Sequence, residues 1–148
     1  MEYKLENSVN HRVAILDTLL KRQIYRIIAA NKLEITPDQW VILYNLWQEN
    51  GLTVGEIASR TNKDFANATR IVDKLEKMGY VSKEKNHKDN RSTHVYILPK
   101  SDYVKEKIIL CWIEATEVAL TGIDENEQQA LLNTISKIES NVLEYLNK

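Results

Sequence analysis

Residues 52–98 read LTVGEIASRTNKDFANATRIVDKLEKMGYVSKEKNHKDNRSTHVYIL, and the fold turns on this stretch. Thr53-Val54-Gly55-Glu56 has the form of a capping box, in which a threonine hydroxyl and a glutamate three residues later satisfy free amides at a helix start. The short helix it opens closes near Arg60. Only Thr61-Asn62-Lys63 separates it from the next helix, the length of a helix-turn-helix turn. Asp64 is the cap of that second helix, which runs to about Met78 and stops at Gly79. Tyr80-Val81-Ser82-Lys83-Glu84-Lys85 and Ser92-Thr93-His94-Val95-Tyr96-Ile97-Leu98 have strand character, and the polar NHKDNR joins them as a β-hairpin with a charged tip. Two short helices across a tight turn, followed directly by a hairpin, predict a winged helix.

The second helix divides cleanly at roughly 100° per residue. Phe65, Ala68, Ile71, Val72, Leu75 and Met78 gather on one side, which is expected to face the core. Ala66, Arg70, Asp73, Lys74 and Lys77 point away from it, with Asn67 and Thr69 on the flanks. In helix-turn-helix docking the N-terminal part of the second helix meets base edges in the major groove. A small side chain suits a thymine methyl, an amide suits adenine, and a guanidinium suits guanine or phosphate, so Ala66, Asn67, Thr69 and Arg70 are the candidate readers. Lys83, Lys85 and Lys88 are candidate phosphate contacts, which set affinity rather than sequence choice, and Lys74 is a further DNA-binding candidate on the outer face of the helix. At the hairpin tip, Arg91 is the candidate anchor in the narrow minor groove, and Asp89 the group that orients it.

Outward from this core, the order is helix, helix, winged helix-turn-helix, helix, helix. Apolar residues at Val9, Val13, Leu16, Leu20, Ile24, Ile27 and Ile28 make residues 9–31 one long amphipathic helix. Thr36-Pro37-Asp38-Gln39 is a further capping box, with Pro37 preset for the first helical position, and its helix stops before Gly51. After Pro99 a long helix runs to about Thr121 and Gly122 breaks it. Asp124 with Glu127 caps the last helix, which carries Leu131, Leu132, Ile135, Ile138, Val142, Leu143 and Leu146. The expected class is mainly α with a small β-hairpin wing (α+β). Residues 1–34 and 99–148 form long dimerisation helices around a DNA-binding lobe at 35–98, all within one compact chain. More apolar helix surface is present than 148 residues with so small a hairpin can cover, which predicts a homodimer.

Composition agrees with a globular chain: 43% hydrophobic and 28% charged residues, with a net charge of −1. That small total conceals an asymmetry. Between Arg60 and Lys100 ten Lys/Arg stand against five Asp/Glu, while the remainder holds ten against sixteen. A basic middle in an acidic frame suits one face that meets a polyanion. No run approaches the roughly 20 apolar residues of a membrane span. The polar N-terminus does not resemble a signal peptide, so the cytoplasm is the expected compartment.

At this point the resemblance is specific. The quoted stretch resembles the core of the MarR family of transcriptional regulators. It has a capped short helix, a recognition helix with Thr69-Arg70 followed by Val72-Asp73, Leu75-Glu76 and Gly79, and a wing with Asp89-Asn90-Arg91. Thr36-Pro37-Asp38-Gln39-Trp40 also fits. The resemblance implies a homodimer built from the first and last two helices. It further implies a pseudo-palindromic double-stranded operator, usually repression, and often a small ligand or oxidant that weakens binding. Asn67, Thr69, Arg70 and Arg91 are the contacts it carries over. One departure stands out: where the family usually has Leu-Thr-x-x-Gly after the wing, this chain has Leu98-Pro99-Lys100-Ser101-Asp102. Pro99 has no capping side chain, so Ser101 is expected to cap a helix that starts slightly later.

Other chemistry is weakly represented. Trp40, Tyr44 and Trp112, with Trp47, are candidates to line an effector pocket, although aromatics at helical spacing are commonly core. Cys111 lies among Ile109, Leu110, Trp112 and Ile113, and is read as a small buried hydrophobe rather than an oxidant sensor. His11, His87 and His94 lack metal-ligand spacing, so no metal and no cofactor is expected. No nucleophile–base pair, carboxylate pair or phosphate-cradling glycine loop points to an enzyme. The alternative to a DNA-binding regulator is a winged-helix module that binds protein without sequence-specific DNA binding, and the basic wing argues against it.

Overall fold

A computed structural model describes residues 2–85, 88 and 92–148. Two compact units divide the chain, residues 1–113 and residues 114–148. In the first, a 3-10 turn at Leu5–Asn7 precedes α1, Val9–Ala30. Only Ile24 and Ile28 of α1 are buried, so its N-terminal half carries its apolar stripe into solvent. The capping box at Thr36 forms as the sequence indicates: the Thr36 hydroxyl accepts from the Gln39 amide at 3.1 Å, and the Gln39 side chain accepts from the Thr36 amide at 3.0 Å. It opens α2, Pro37–Gln48. The second box, on Thr53 and Glu56, opens α3, Val54–Arg60. Asn62 takes the left-handed conformation (φ 52°) in the turn, and the Lys63 amide donates to the Ala58 carbonyl at 2.9 Å. This tight return feeds α4, Phe65–Lys77, whose Asp64 cap accepts from the Asn67 amide at 2.7 Å.

The wing strands are β2, Val81–Lys85, and β3, Thr93–Ile97, antiparallel with Val81 opposite Ile97 and Lys85 opposite Thr93. The sequence reading missed a third strand, β1, Leu52–Thr53, which pairs with β3 through Leu52 opposite Val95 and gives the order β1-β3-β2. Two residues carry no periodicity, and only the pairing itself defines such a strand. Gly51 makes the approach possible. Its φ of +80° suits glycine, and a Cβ there would stand 2.9 Å from the Tyr96 ring. The core gathers Ile42, Leu43 and Leu46 of α2, Ile57 of α3, Val72 and Leu75 of α4, Val95 of β3 and Ile108 of the following helix, none more than 1% exposed.

Helix α5, Pro99–Ala119, begins earlier than expected. Pro99 itself opens the helix, because the first helical position needs no N–H and proline already has the required φ. Ser101 is therefore not an outside cap. It is fully buried inside the first turn, where its hydroxyl donates to the Leu98 carbonyl at 2.8 Å and accepts from the Trp47 indole at 3.3 Å. Cys111 is buried at 2% exposure, in line with the hydrophobe reading.

The second unit holds the end of α5, Gly122 at φ +79°, and α6, Glu125–Leu146. Asp124 and Glu127 form the expected capping box. No residue of α6 is buried, and Leu131, Leu132, Ile135, Ile138, Val142 and Leu143 all stand exposed. Among the described residues, no helix is long and apolar enough to cross a membrane.

Candidate nucleic-acid interface

The candidate interface is built on α4, held from below by core packing and from one side by the wing. Ala68, Val72 and Leu75 are fully buried and fix the rotation of the helix. That rotation leaves Ala66, Arg70 and Lys74 exposed and Asn67 and Thr69 half-buried. The five sequence candidates on this helix thus share one surface. Arg70 donates through Nη2 to the Asn67 side-chain oxygen at 3.2 Å, so the two pair with each other before any ligand arrives. The Thr69 hydroxyl donates to the Phe65 carbonyl at 2.8 Å and keeps its acceptor capacity.

One residue of α4 departs from expectation. Helical phase places Phe65 on the core side, yet it is 64% exposed. It occupies the first helical position, where no preceding turn covers it, and its phase lies on the wing-facing flank rather than at the centre of the buried stripe. Phe65, Thr69, Val72 and Asp73 of α4, with Val54 and Gly55 of α3 and Lys83 and Thr93 of the wing, line a cavity of about 400 Å³.

Lys83 is more engaged than its sequence position suggested. Its ammonium lies 2.5 Å from Asp73 Oδ1 and 3.6 Å from Glu76 Oε1, and its backbone amide donates to Glu76 Oε2 at 3.2 Å. Strand β2 is thereby tied to α4 at one residue. The hydrogen bond to Asp73 raises the Lys83 pKa above its ordinary value, against the opposing effect of partial burial. Burial likewise raises the Tyr80 phenol. Lys88 is exposed beyond β2. Asp89 and Arg91, the proposed orienter and anchor, lie outside the described residues.

The candidate effector-pocket aromatics lie in one cluster of rings. Trp40 packs its ring 5.7 Å from Tyr44, 5.5 Å from Trp47 and 6.3 Å from Trp112, the last nearly parallel at 26°. Lys105 lies 5.2 Å above the Trp47 ring, a cation–π contact. Trp40 is buried and Tyr44 is 48% exposed, so the cluster runs from the core to the surface. His94 does a structural job: its Nδ1 donates to the Gly51 carbonyl at 2.8 Å, bracing the strand junction.

A short capped helix, a three-residue turn, a second helix with a polar outer face and a paired hairpin define a winged helix-turn-helix protein. Residues 35–93 match the model of the MarR family. Among characterised relatives, the chain is 31% identical over 114 residues to the HTH-type transcriptional regulator TtmR of Methylorubrum extorquens, covering 77% of this chain and 57% of TtmR. The chain thus spans a little over half the length of that relative. Among solved structures, the fold superposes on the Streptomyces coelicolor regulator PcaV, solved with its natural ligand. The TM-score is 0.85 at 18% identity, over 95% of this chain and 97% of that one. It also superposes on Bordetella bronchiseptica BpsR, whose DNA binding is regulated by 6-hydroxynicotinic acid. There the TM-score is 0.86 at 16% identity, over 94% and 98%. Over residues 35–93 the chain is thus similar to the MarR family, and it shares its fold with these solved regulators along nearly its whole length.

Proposed function

We propose that this chain is a sequence-specific double-stranded-DNA-binding transcriptional regulator that acts as a homodimer on a pseudo-palindromic operator, in the repressing sense. The observation that carries the reading is the outer face of α4. Ala66, Asn67, Thr69, Arg70 and Lys74 share one accessible surface on a helix whose opposite side is locked into the core. Lys83 and Lys88 add charge from the wing side, and Asp89 and Arg91 complete the set on the strength of the sequence. The lobe at 35–98 carries the DNA contacts, and the helices at 1–34 and 99–148 carry dimerisation.

The test is a salt titration of binding to duplexes by fluorescence anisotropy. Log affinity is expected to fall linearly with log salt, with a slope set by the phosphates neutralised, on random and selected duplexes alike. A flat dependence on salt, or no duplex binding, would leave a protein-binding winged helix as the better reading.

A small-molecule effector is the further part of the proposal. Support comes from the Trp40–Tyr44–Trp112 cluster, which reaches the surface at Tyr44, and from two proteins of the same fold, PcaV, solved with its natural ligand, and BpsR, regulated by 6-hydroxynicotinic acid. Titrating small aromatic carboxylic acids, 6-hydroxynicotinic acid among them, should quench tryptophan emission and release DNA together. Release without quenching would place the effector elsewhere.

A further inference from the structure

Phe65 is the only phenylalanine in the chain, and it stands 64% exposed at the first position of the helix that presents Asn67 and Arg70. Large apolar side chains in the lobe at 35–98 are otherwise buried or half-buried among the described residues, apart from Tyr44 in the aromatic cluster. No aromatic ring or cation of the described residues stacks on Phe65. Folding therefore gains little from this ring where it stands, while its exposure carries a hydration cost. Beside it, Val54 and Val72 with Thr69, Asp73 and Lys83 line the adjoining cavity of about 400 Å³.

On the reading that α4 enters the major groove of duplex DNA, we propose that Phe65 is a specificity-determining residue that packs on the 5-methyl group of a thymine. The placement follows from the helix. The N-terminal end of a recognition helix comes nearest the base edges, and Phe65 is its first residue. Among base edges in the major groove only thymine offers a methyl group, and an apolar side chain is the partner that recognises it. Phe65 has no donor or acceptor on its side chain, so it discriminates by burying that methyl and by nothing else. The flanking charge fits a polyanion rather than an apolar partner: residues 60–100 hold twice as many Lys and Arg as Asp and Glu. The side chain adds thymine preference on the wing-side flank of α4, while Asn67 and Arg70 supply polar readout beside it.

The experiment begins with duplexes selected from a random-sequence pool by the wild-type protein, followed by replacement of each thymine in one half-site with deoxyuridine. Deoxyuridine keeps the hydrogen-bonding pattern and removes only the methyl. In the wild type one such replacement is expected to weaken binding about fourfold, the worth of one buried methyl-sized group. In Phe65→Ala the unmodified duplex should bind more weakly and the penalty at that position should vanish, while Phe65→Leu should retain part of it. Melting temperatures should barely move, because the ring is exposed. If the wild type shows no methyl-sensitive thymine, or the sensitivity survives in Phe65→Ala, the inference is overturned, and survival would pass the contact to Ala66. If the wild type selects no duplex at all, the DNA-binding reading itself has failed, which is a separate result.

Discussion

Lys83 illustrates how a charge can be present at an interface and yet be partly spent within the protein. With Asp73 at 2.5 Å and Glu76 at 3.6 Å, its ammonium meets two carboxylates before it meets a phosphate. Exposed Lys74 faces outward from the same helix. Lys74→Ala is therefore expected to reduce the salt slope of DNA binding by close to one unit, and Lys83→Ala by clearly less. Equal reductions in anisotropy titrations would mean that Lys83 leaves its partners when DNA binds. Arg91 allows a sharper experiment. An exposed Asp–Arg pair contributes about 0–1 kcal/mol to folding. Arg91→Ala should leave the melting temperature nearly unchanged and lower operator affinity about tenfold, near 1.4 kcal/mol. Asp89→Ala should act more weakly in the same direction, and the two losses should not add in a double-mutant cycle. Additive losses would show that Asp89 does not act through Arg91.

At the scale of elements, Lys83 ties the wing to α4, and both it and Tyr80, buried just ahead of β2, titrate in alkali. Lys83 and Tyr80 both have folded-state pKa values raised above their ordinary 10.5 and 10.0. A raised pKa means that the folded state holds its proton more tightly than the unfolded state. Stability from these groups is thus complete below pH about 10 and declines as pH rises above it. Chemical denaturation at increasing pH should show this decline, and Asp73→Asn should blunt it by removing the main cause of the Lys83 shift. A decline unchanged in Asp73→Asn would put its origin elsewhere. The junction ahead of α3 makes a second comparison. Gly51→Ala would place a Cβ at φ +80° and 2.9 Å from Tyr96, and is expected to cost about 1–3 kcal/mol. Gly55→Ala, in the first turn of α3 with its nearest neighbour 3.9 Å away, should be neutral or stabilise by up to about 1 kcal/mol. Urea melts of the two variants should differ in sign or at least clearly in size.

At the scale of the whole molecule, the exposed apolar surface calls for a partner. Val9, Val13, Leu16 and Leu20 of α1 are each at least 41% exposed, and Leu131, Leu132, Val142 and Leu143 of α6 about half exposed. Two long stripes of this kind exceed what scattered surface leucines produce in a monomer. Sedimentation at micromolar concentration should give a dimer, and the melting temperature should rise with concentration. A Leu16→Glu, Leu132→Glu double variant should shift the population to monomer and abolish operator binding while leaving random-duplex contacts weak but measurable. A stable, folded wild-type monomer would reject the proposal.

Much of this protein was legible in its residues, because helix caps and helical periodicity are local. Thr36, Thr53, Asp64 and Asp124 each announce a helix through a side chain that reaches only three residues ahead, and each was found in that role. The tight turn at residues 61–63 and the paired strands after Gly79 needed no distant information either. Three features did. Strand β1 exists only because Leu52 meets Val95, more than forty residues away. Ser101 left its expected capping role because Pro99 can start a helix without one and because Trp47, distant in sequence, supplies an indole donor. Phe65 has the helical phase of a near-core residue, and only the assembled lobe leaves it uncovered. A side chain's reach to its own backbone is written in the order of residues, whereas burial depends on which other segments arrive to cover it.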